Sequence, residues 1–278
     1  MALLEDSVVQ PPSVYTDADP QTAVVSAYCP KLPRPENDLR VGLRSGLKQI
    51  QQCGLNIGPA RIMIEKVRRE DWAESWRKHF RPLEIGGALL ITPSWSHRCP
   101  RPGQAVVVMD PGLSFGTGQH PTTAFCLEEI VACRQIVRRQ SFLDIGTGSG
   151  ILAIAAAKLG YQPVRAFDFD AAAVRVAKAN ARRNRVTKRI RIFRQDLVRW
   201  PLRPDAKFDV ICANLTEDLL VEQSRRILNR LQPRGTLILA GILKTQFARV
   251  QRTYAAAGLK LIATRPEKEW QSGAFAAP

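Results

Sequence analysis

From residue 105 onward, short apolar runs alternate with longer segments whose apolar positions recur every third or fourth residue. The runs predict strands at 105–109, 141–144, 164–167, 190–194, 208–213, 235–240, 259–264 and 270–275. The longer segments predict helices over 122–137, 151–159, 171–184, 217–231 and 245–257. Apolar strands separated by helices make a mainly parallel sheet covered on both faces, a doubly wound α/β domain. The last two strands follow each other without a helix, so one of them runs antiparallel. Ahead of this region the rhythm differs. A strand over 22–28, a helix over 37–52 carrying Leu39, Leu43, Leu47 and Ile50 at helical spacing, and a strand over 60–67 form a small α+β unit. The first twenty residues, with Pro11, Pro12 and Pro20, read as irregular. A short helix over 71–80, a strand over 88–92 and a proline-rich bend over 93–102 join the two parts. The expected organisation is a small domain over 1–67, a linking helix and strand over 68–102, and a main domain over 103–278.

The strand at 141–144 runs into Phe142-Leu143-Asp144-Ile145-Gly146-Thr147-Gly148-Ser149-Gly150, which opens the next helix. Glycines here permit a tight turn and close approach of a ligand to the backbone. A dinucleotide fingerprint needs glycine where Ile151 stands, and a P-loop needs Gly-Lys followed by Ser or Thr, which is missing. An acid directly before the glycines repels a pyrophosphate and suits a ligand bearing ammonium and sulfonium groups. S-adenosylmethionine has both.

Three further strand ends carry polar side chains. Asp168, after the strand at 164–167, stands where a carboxylate accepts hydrogen bonds from ribose hydroxyls; Asp170 competes for that role, or caps the helix that follows. Asp196 is in position for an adenine amino group, or for holding its own turn. Asn214 stands where the transferable methyl group is expected and can accept from an amine through its carbonyl; the alternative is an asparagine in a left-handed turn. Thr122 and Thr123 open a helix whose free N–H groups and hydroxyls can meet a carboxylate. His120 reads as a packed or capping imidazole in preference to a general base.

Composition adds limits. No stretch has the roughly 20 apolar residues of a membrane span, and Glu5 and Asp6 interrupt the first apolar residues, so neither a membrane segment nor a signal peptide is expected and the cytoplasm is the expected location. The six cysteines, Cys29, Cys53, Cys99, Cys126, Cys133 and Cys212, form no C-x-x-C pair, which argues against a zinc site and favours reduced core thiols. Net charge is +16, and Arg182, Arg183, Arg185, Lys188, Arg189, Arg191 and Arg194 carry much of it. Such a surface attracts polyanions, or is simply a solvated basic face.

These residues resemble the motif series of class I methyltransferases. The segment Asp110-Pro111-Gly112-Leu113-Ser114-Phe115-Gly116-Thr117-Gly118-Gln119-His120-Pro121-Thr122-Thr123 is similar to the signature of the PrmA family, the bacterial methyltransferases of ribosomal protein L11. Asp71-Trp72 through Trp76, Phe80-Arg81-Pro82, Pro93-Ser94-Trp95 and Gly241-Ile242-Leu243 match it further, so that the resemblance covers about residues 60 to 273. It implies a Rossmann-like, seven-stranded, mainly parallel sheet with a small N-terminal α+β domain, a shortened ferredoxin-like unit that recognises the substrate. It implies S-adenosylmethionine as cofactor, and amino groups of ribosomal protein L11, free or ribosome-associated, as acceptors. Cofactor-binding candidates are Thr117, Thr123, Asp144, Gly146, Gly148, Asp168, Asp196 and Asn214, and Asn214 is also the catalytic candidate. The rivals are an enzyme of the same fold acting on another protein amine or a small molecule, and a non-catalytic cofactor-binding protein associated with RNA.

Overall fold

The computed structural model describes residues 13–16, 23–26, 35–52, 58, 60–64, 82–110 and 120–278. The helix read at 71–80 and the segment from Phe115 to Gln119, Thr117 included, lie outside the described residues, as do Cys29 and Cys53. The chain divides into two compact units, Met1–Ala73 and Glu74–Pro278.

In the first unit, β1 (Ser13–Thr16) pairs antiparallel with β2 (Ala23–Ser26), and α1 spans Glu36–Gln52. The start of the chain is therefore not wholly irregular. β1 is four residues long, too short for its alternation to stand out behind two prolines. The strand read at 60–67 is not formed over 60–64. Gly58 and Ala60 have left-handed φ values of 57° and 44°, which start the segment on a turn, and the Ile62 carbonyl accepts from the Arg40 guanidinium at 3.0 Å rather than from a strand.

The second unit opens with β3 (Leu83–Ile85), β4 (Leu89–Thr92) and β5 (Ala105–Val108) in a small sheet, β3 antiparallel and β5 parallel to β4. The strand read at 105–109 thus does not join the large sheet. Its apolar face finds β4 first, and Met109 N–H donates to the Thr92 carbonyl at 2.9 Å.

The large sheet follows α2 (Pro121–Ala132): β6 (Phe142–Ile145), α3 (Ile151–Leu159), β7 (Val164–Asp168), α4 (Ala171–Arg183), β8 (Ile190–Arg194) and β9 (Phe208–Asn214). Then come α5 (Glu217–Glu222), α6 (Ser224–Leu228), β10 (Leu231–Leu243), α7 (Lys244–Ala256), β11 (Lys260–Glu267) and β12 (Trp270–Ala276). Strand order is β8-β7-β6-β9-β10-β12-β11, and β12 runs antiparallel to both its neighbours. Alternate side chains feed two cores. Phe142, Val210 and Cys212 pack with Phe125, Cys126, Ile154 and Ala177 of α2, α3 and α4. Leu143, Ile145 and Ile211 pack with Leu220, Ile227, Phe247 and Val250 of α5, α6 and α7.

Two helices end earlier than their periodicity suggests. α2 stops at Ala132, and Ile136 and Val137 beyond it are exposed. The helix read over 217–231 is broken at Gln223, and Leu231 already belongs to β10. The buried Arg230 accompanies this exit. Its guanidinium lies 3.5 Å over the Trp200 ring and donates to the carbonyls of Arg226 and Pro201, so tertiary contacts override helical spacing there.

Candidate active site

Strand order reverses between β6 and β9, and in an open parallel sheet such a switch opens a crevice at the carboxyl ends of the strands. Asp144 is the last polar residue of β6 before the glycine turn. Gly146, Gly148 and Gly150 all have positive φ, 72°, 51° and 83°, which glycine adopts at little cost. The turn is pinned from below, where the N–H groups of Gly146 and Thr147 donate to the Phe167 carbonyl at 3.0 and 2.9 Å. A Cβ on Gly146 would lie 2.5 Å from Leu215 Cδ2, so the loop after β9 closes tightly over the turn.

Asp144 is fully buried. Its Oδ2 accepts from the Thr147 hydroxyl at 2.6 Å and from Ala153 N–H at 3.2 Å, while Oδ1 has no hydrogen-bond partner among the described residues. Burial drives its pKa up to about 7, with Asp168 adding to the rise and the two hydrogen bonds opposing it. Asp168, at the end of β7, accepts from Gly148 N–H at 2.9 Å through Oδ2 and from Asp170 N–H at 3.0 Å through Oδ1. Each oxygen keeps a lone pair, and the two backbone donors fix the plane of the carboxylate. Asp170 caps α4 through Ala172 N–H at 2.8 Å. Asp196 accepts from Val198 N–H at 2.9 Å and lies 3.8 Å from Arg199, so its carboxylate holds its own turn.

On the other side of the switch, Asn214 closes β9 without left-handed backbone. Its Nδ2 donates to Thr122 Oγ1 at 3.3 Å, and Thr122 Oγ1 is 2.7 Å from His120 Nδ1. Nδ1 also accepts from Thr122 N–H at 3.4 Å, which makes His120 the N-cap of α2. Burial, against the pull of Glu269, lowers the pKa of this imidazole, so at neutral pH it is uncharged and Nδ1 is an acceptor. The polarity then runs one way: Asn214 amide to Thr122 hydroxyl to His120 ring. Among the described residues nothing donates to Asn214 Oδ1, which lies beside Gly241 with its lone pairs unused. Thr123, next along α2, buries a hydroxyl with no partner among the described residues.

The structure therefore brings Asp144, Gly146, Gly148 and Asp168 into one bonded set, and Asn214 into a second with the first turn of α2. Three participants have no site role in the sequence alone. Thr147, quoted within the glycine motif without a role, donates to Asp144. Trp270 stacks edge-on against His120 at 5.3 Å from the far antiparallel strand, a contact no local pattern encodes. Gly241, with φ of 81°, is where a Cβ would meet the Leu215 carbonyl at 2.6 Å and Asn214 Oδ1 at 2.9 Å. A glycine just past a strand core was the available signal.

The family model for ribosomal protein L11 methyltransferase (PrmA) matches residues 12–276. The chain belongs to the PrmA family. A ribosomal protein L11 methyltransferase of Geobacter metallireducens is 40% identical over 240 residues, covering 85% of this chain and 77% of the relative. One from Caldanaerobacter subterraneus subsp. tengcongensis is 36% identical over 233 residues, covering 83% and 72%. The crystal structure of a ribosomal protein L11 methylase from Lactobacillus delbrueckii subsp. bulgaricus superposes with a TM-score of 0.63 at 29% identity, over 71% of this chain and 99% of that one. Membership in the PrmA family makes the chain an S-adenosylmethionine-dependent methyltransferase with the class I fold.

Proposed function

We propose that the enzyme methylates amino groups of ribosomal protein L11, lysine side chains or the N-terminal amine, in the cytoplasm, on the free protein or in association with the ribosome. The observation that carries this reading is the orientation of Asn214. Its amide nitrogen is committed to Thr122, which leaves Oδ1 to accept from an N–H group. A carbonyl acceptor at that point suits a neutral amine nucleophile, whose lone pair it directs towards the methyl group by holding the N–H. The names of the relatives supply the identity of the acceptor.

The residues present fit S-adenosylmethionine. Oδ1 of Asp144 and Oγ1 of Thr123 are buried polar atoms without partners among the described residues, one suited to an ammonium and the other to a carboxylate. We assign Asp144, Gly146 and Gly148 to the amino-acid end, with Thr123 at its carboxylate at the start of α2, whose positive dipole end favours an anion; Thr117, outside the described residues, joins that assignment on the family resemblance alone. Asp168 is assigned to the ribose hydroxyls, and Asp196, whose Oδ1 holds its own turn, to the adenine amino group through Oδ2. When bound, the cofactor supplies a methyl group on a sulfonium centre, so no protein nucleophile is needed. The chain's own contribution is alignment and exclusion of water. The acceptor must arrive deprotonated, and Asn214 and nearby backbone carbonyls hold it without offering a charge that would stabilise the ammonium form.

Mass spectrometry of purified ribosomal protein L11 after incubation with enzyme and cofactor tests the reading. Methyl-sized increments mapping to lysine or N-terminal amines are expected. Unmodified L11 together with label on another acceptor would overturn the substrate and leave the reaction class intact.

A further inference from the structure

Between Asp170 and Asp196 the chain carries nine lysines and arginines and no carboxylate side chain. These residues lie on α4, the turn after it and edge strand β8, which pack side by side in the second unit, and all nine side chains are exposed. Only Arg183 has a carboxylate within ion-pair distance, Asp110; the other eight have none among the described residues. A mixed-sign face would pair its charges, as Arg165 does with Asp205 elsewhere on the same sheet. Here like charges are crowded instead. Lys158, at the end of α3, has its pKa lowered by burial first and then by Arg189 and Arg185, which places three cations together. A cleft of about 240 Å³ opens beside them between α4 and β8, with Lys178, Arg182 and Thr187 on its polar side.

The second observation is a backbone one. Three helices end in the same motif. In α3, Tyr161 N–H donates to Ala156 and Gly160 N–H to Ala157; in α7, Leu259 donates to Tyr254 and Gly258 to Ala255. In α4, Val186 donates to Ala181 and Arg185 to Arg182. The pivot residue must be left-handed, with φ of 99° at Gly160, 89° at Gly258 and 58° at Arg185. Two helices use glycine there, as the conformation favours, and α4 uses arginine. The turn thereby sets one more guanidinium on this face, at a position whose backbone glycine would adopt with less strain.

We infer that the α4–β8 face is a docking surface for the phosphate backbone of RNA. Seven of the nine cations are arginines, whose planar fork grips phosphate oxygens in pairs. The end of α4 and the start of β8 lie at the amino ends of the parallel strands, opposite the crevice that holds Asp144, Asp168 and Asn214. RNA held there leaves the methyl-transfer site open, so the enzyme can remain on a ribonucleoprotein while it acts on a protein side chain. The inference does not depend on which amine is methylated.

Fluorescence anisotropy of the full chain with a labelled RNA hairpin of about 20 nucleotides, titrated against salt, tests it. The expected result is a log–log salt slope of about −3 or steeper, reflecting four or more phosphates. Combined Arg182→Ser, Arg185→Gly, Lys188→Ser and Arg189→Ser should weaken binding roughly 100-fold and flatten the slope by about 3. Methylation of purified, RNA-free L11 by that variant should be unchanged, so loss of RNA binding and failure of the substrate reading are told apart. Arg185→Gly alone should raise the melting temperature by about 2 °C or more while weakening RNA binding, a pairing that a merely solvated face does not produce. Binding to RNA unaffected by the four substitutions, or polyglutamate binding as tightly as RNA, would overturn the proposal; the latter would mark the face as a site for acidic protein.

Discussion

Asp144 sits almost at its titration midpoint near neutral pH because burial outweighs the two hydrogen bonds that favour its charge. A cationic ligand brought to Oδ1 reverses that balance and holds the carboxylate ionised. Cofactor affinity should therefore strengthen as pH rises from 6 to 8 and level off above, with release of a proton on binding near pH 7. Calorimetry in two buffers of different ionisation enthalpy measures both; a pH-independent affinity would remove Asp144 from the ammonium site. The stability sign is opposite. The folded pKa lies above the ordinary carboxyl value, so the folded state holds a proton that the unfolded state has lost between about pH 4 and 7. The ligand-free enzyme should thus lose stability as pH rises through about 7, and Asp144→Asn should flatten that part of the curve. Asn214 makes a separable claim. Removal of the side chain takes away the acceptor for the incoming amine together with one long hydrogen bond to Thr122. Asn214→Ala should lower kcat by roughly 10- to 100-fold while leaving the cofactor Kd within about threefold, since misorientation costs rate before it costs cofactor binding. An unchanged kcat would end the positioning role.

At the level of elements, the site depends on a bulge. The register of β10 against β12 shifts between Leu239 and Ile242, and Gly241 occupies the shift with left-handed backbone. Leu215 N–H donates to the Ala240 carbonyl at 3.0 Å, so the bulge carries the loop that presents Asn214 and packs Leu215 against Gly146. A methyl group at Gly241 meets backbone, which cannot swing aside. Gly241→Ala should destabilise the enzyme by about 2 kcal/mol or more and depress kcat beyond what the stability loss explains. Thermal melts beside kinetics read both, and a neutral substitution would show the bulge to be pliable. Elements of this kind mark the boundary of what a sequence displays. α3 has the bounds its periodicity predicts, because glycines stand at both of its ends. Asp144 and Asp168 were legible because each closes an apolar run with an acid. The early start of β10 and the pairing of β5 with β4 were not, since each goes with a partner distant in sequence: Trp200 for Arg230, and β4 for β5. The Asn214–Thr122–His120 chain was hidden for the same reason, although all three residues had drawn notice singly.

Across the whole molecule, the buried apolar side chains of the described residues run from Ile85 to Phe275, all within the second unit. That unit therefore has two sheet-sided cores of its own and every bonded member of the crevice. A chain beginning at Glu74 should fold and bind cofactor with a Kd within about threefold of the full protein. We propose substrate recognition as the task of the first unit, as the PrmA resemblance implies for the N-terminal region. Binding energy from a part of the substrate remote from the reacting amine raises turnover as well as affinity, because it holds the amine in line with the methyl group. Removal of residues 1–73 should accordingly lower kcat/KM for intact L11 by about 100-fold or more. Turnover of a short lysine peptide, which cannot engage a remote surface, should stay the same. Equal loss on both substrates would mean that the first unit supports the fold of the second, and no loss on intact L11 would mean that recognition lies within the second unit.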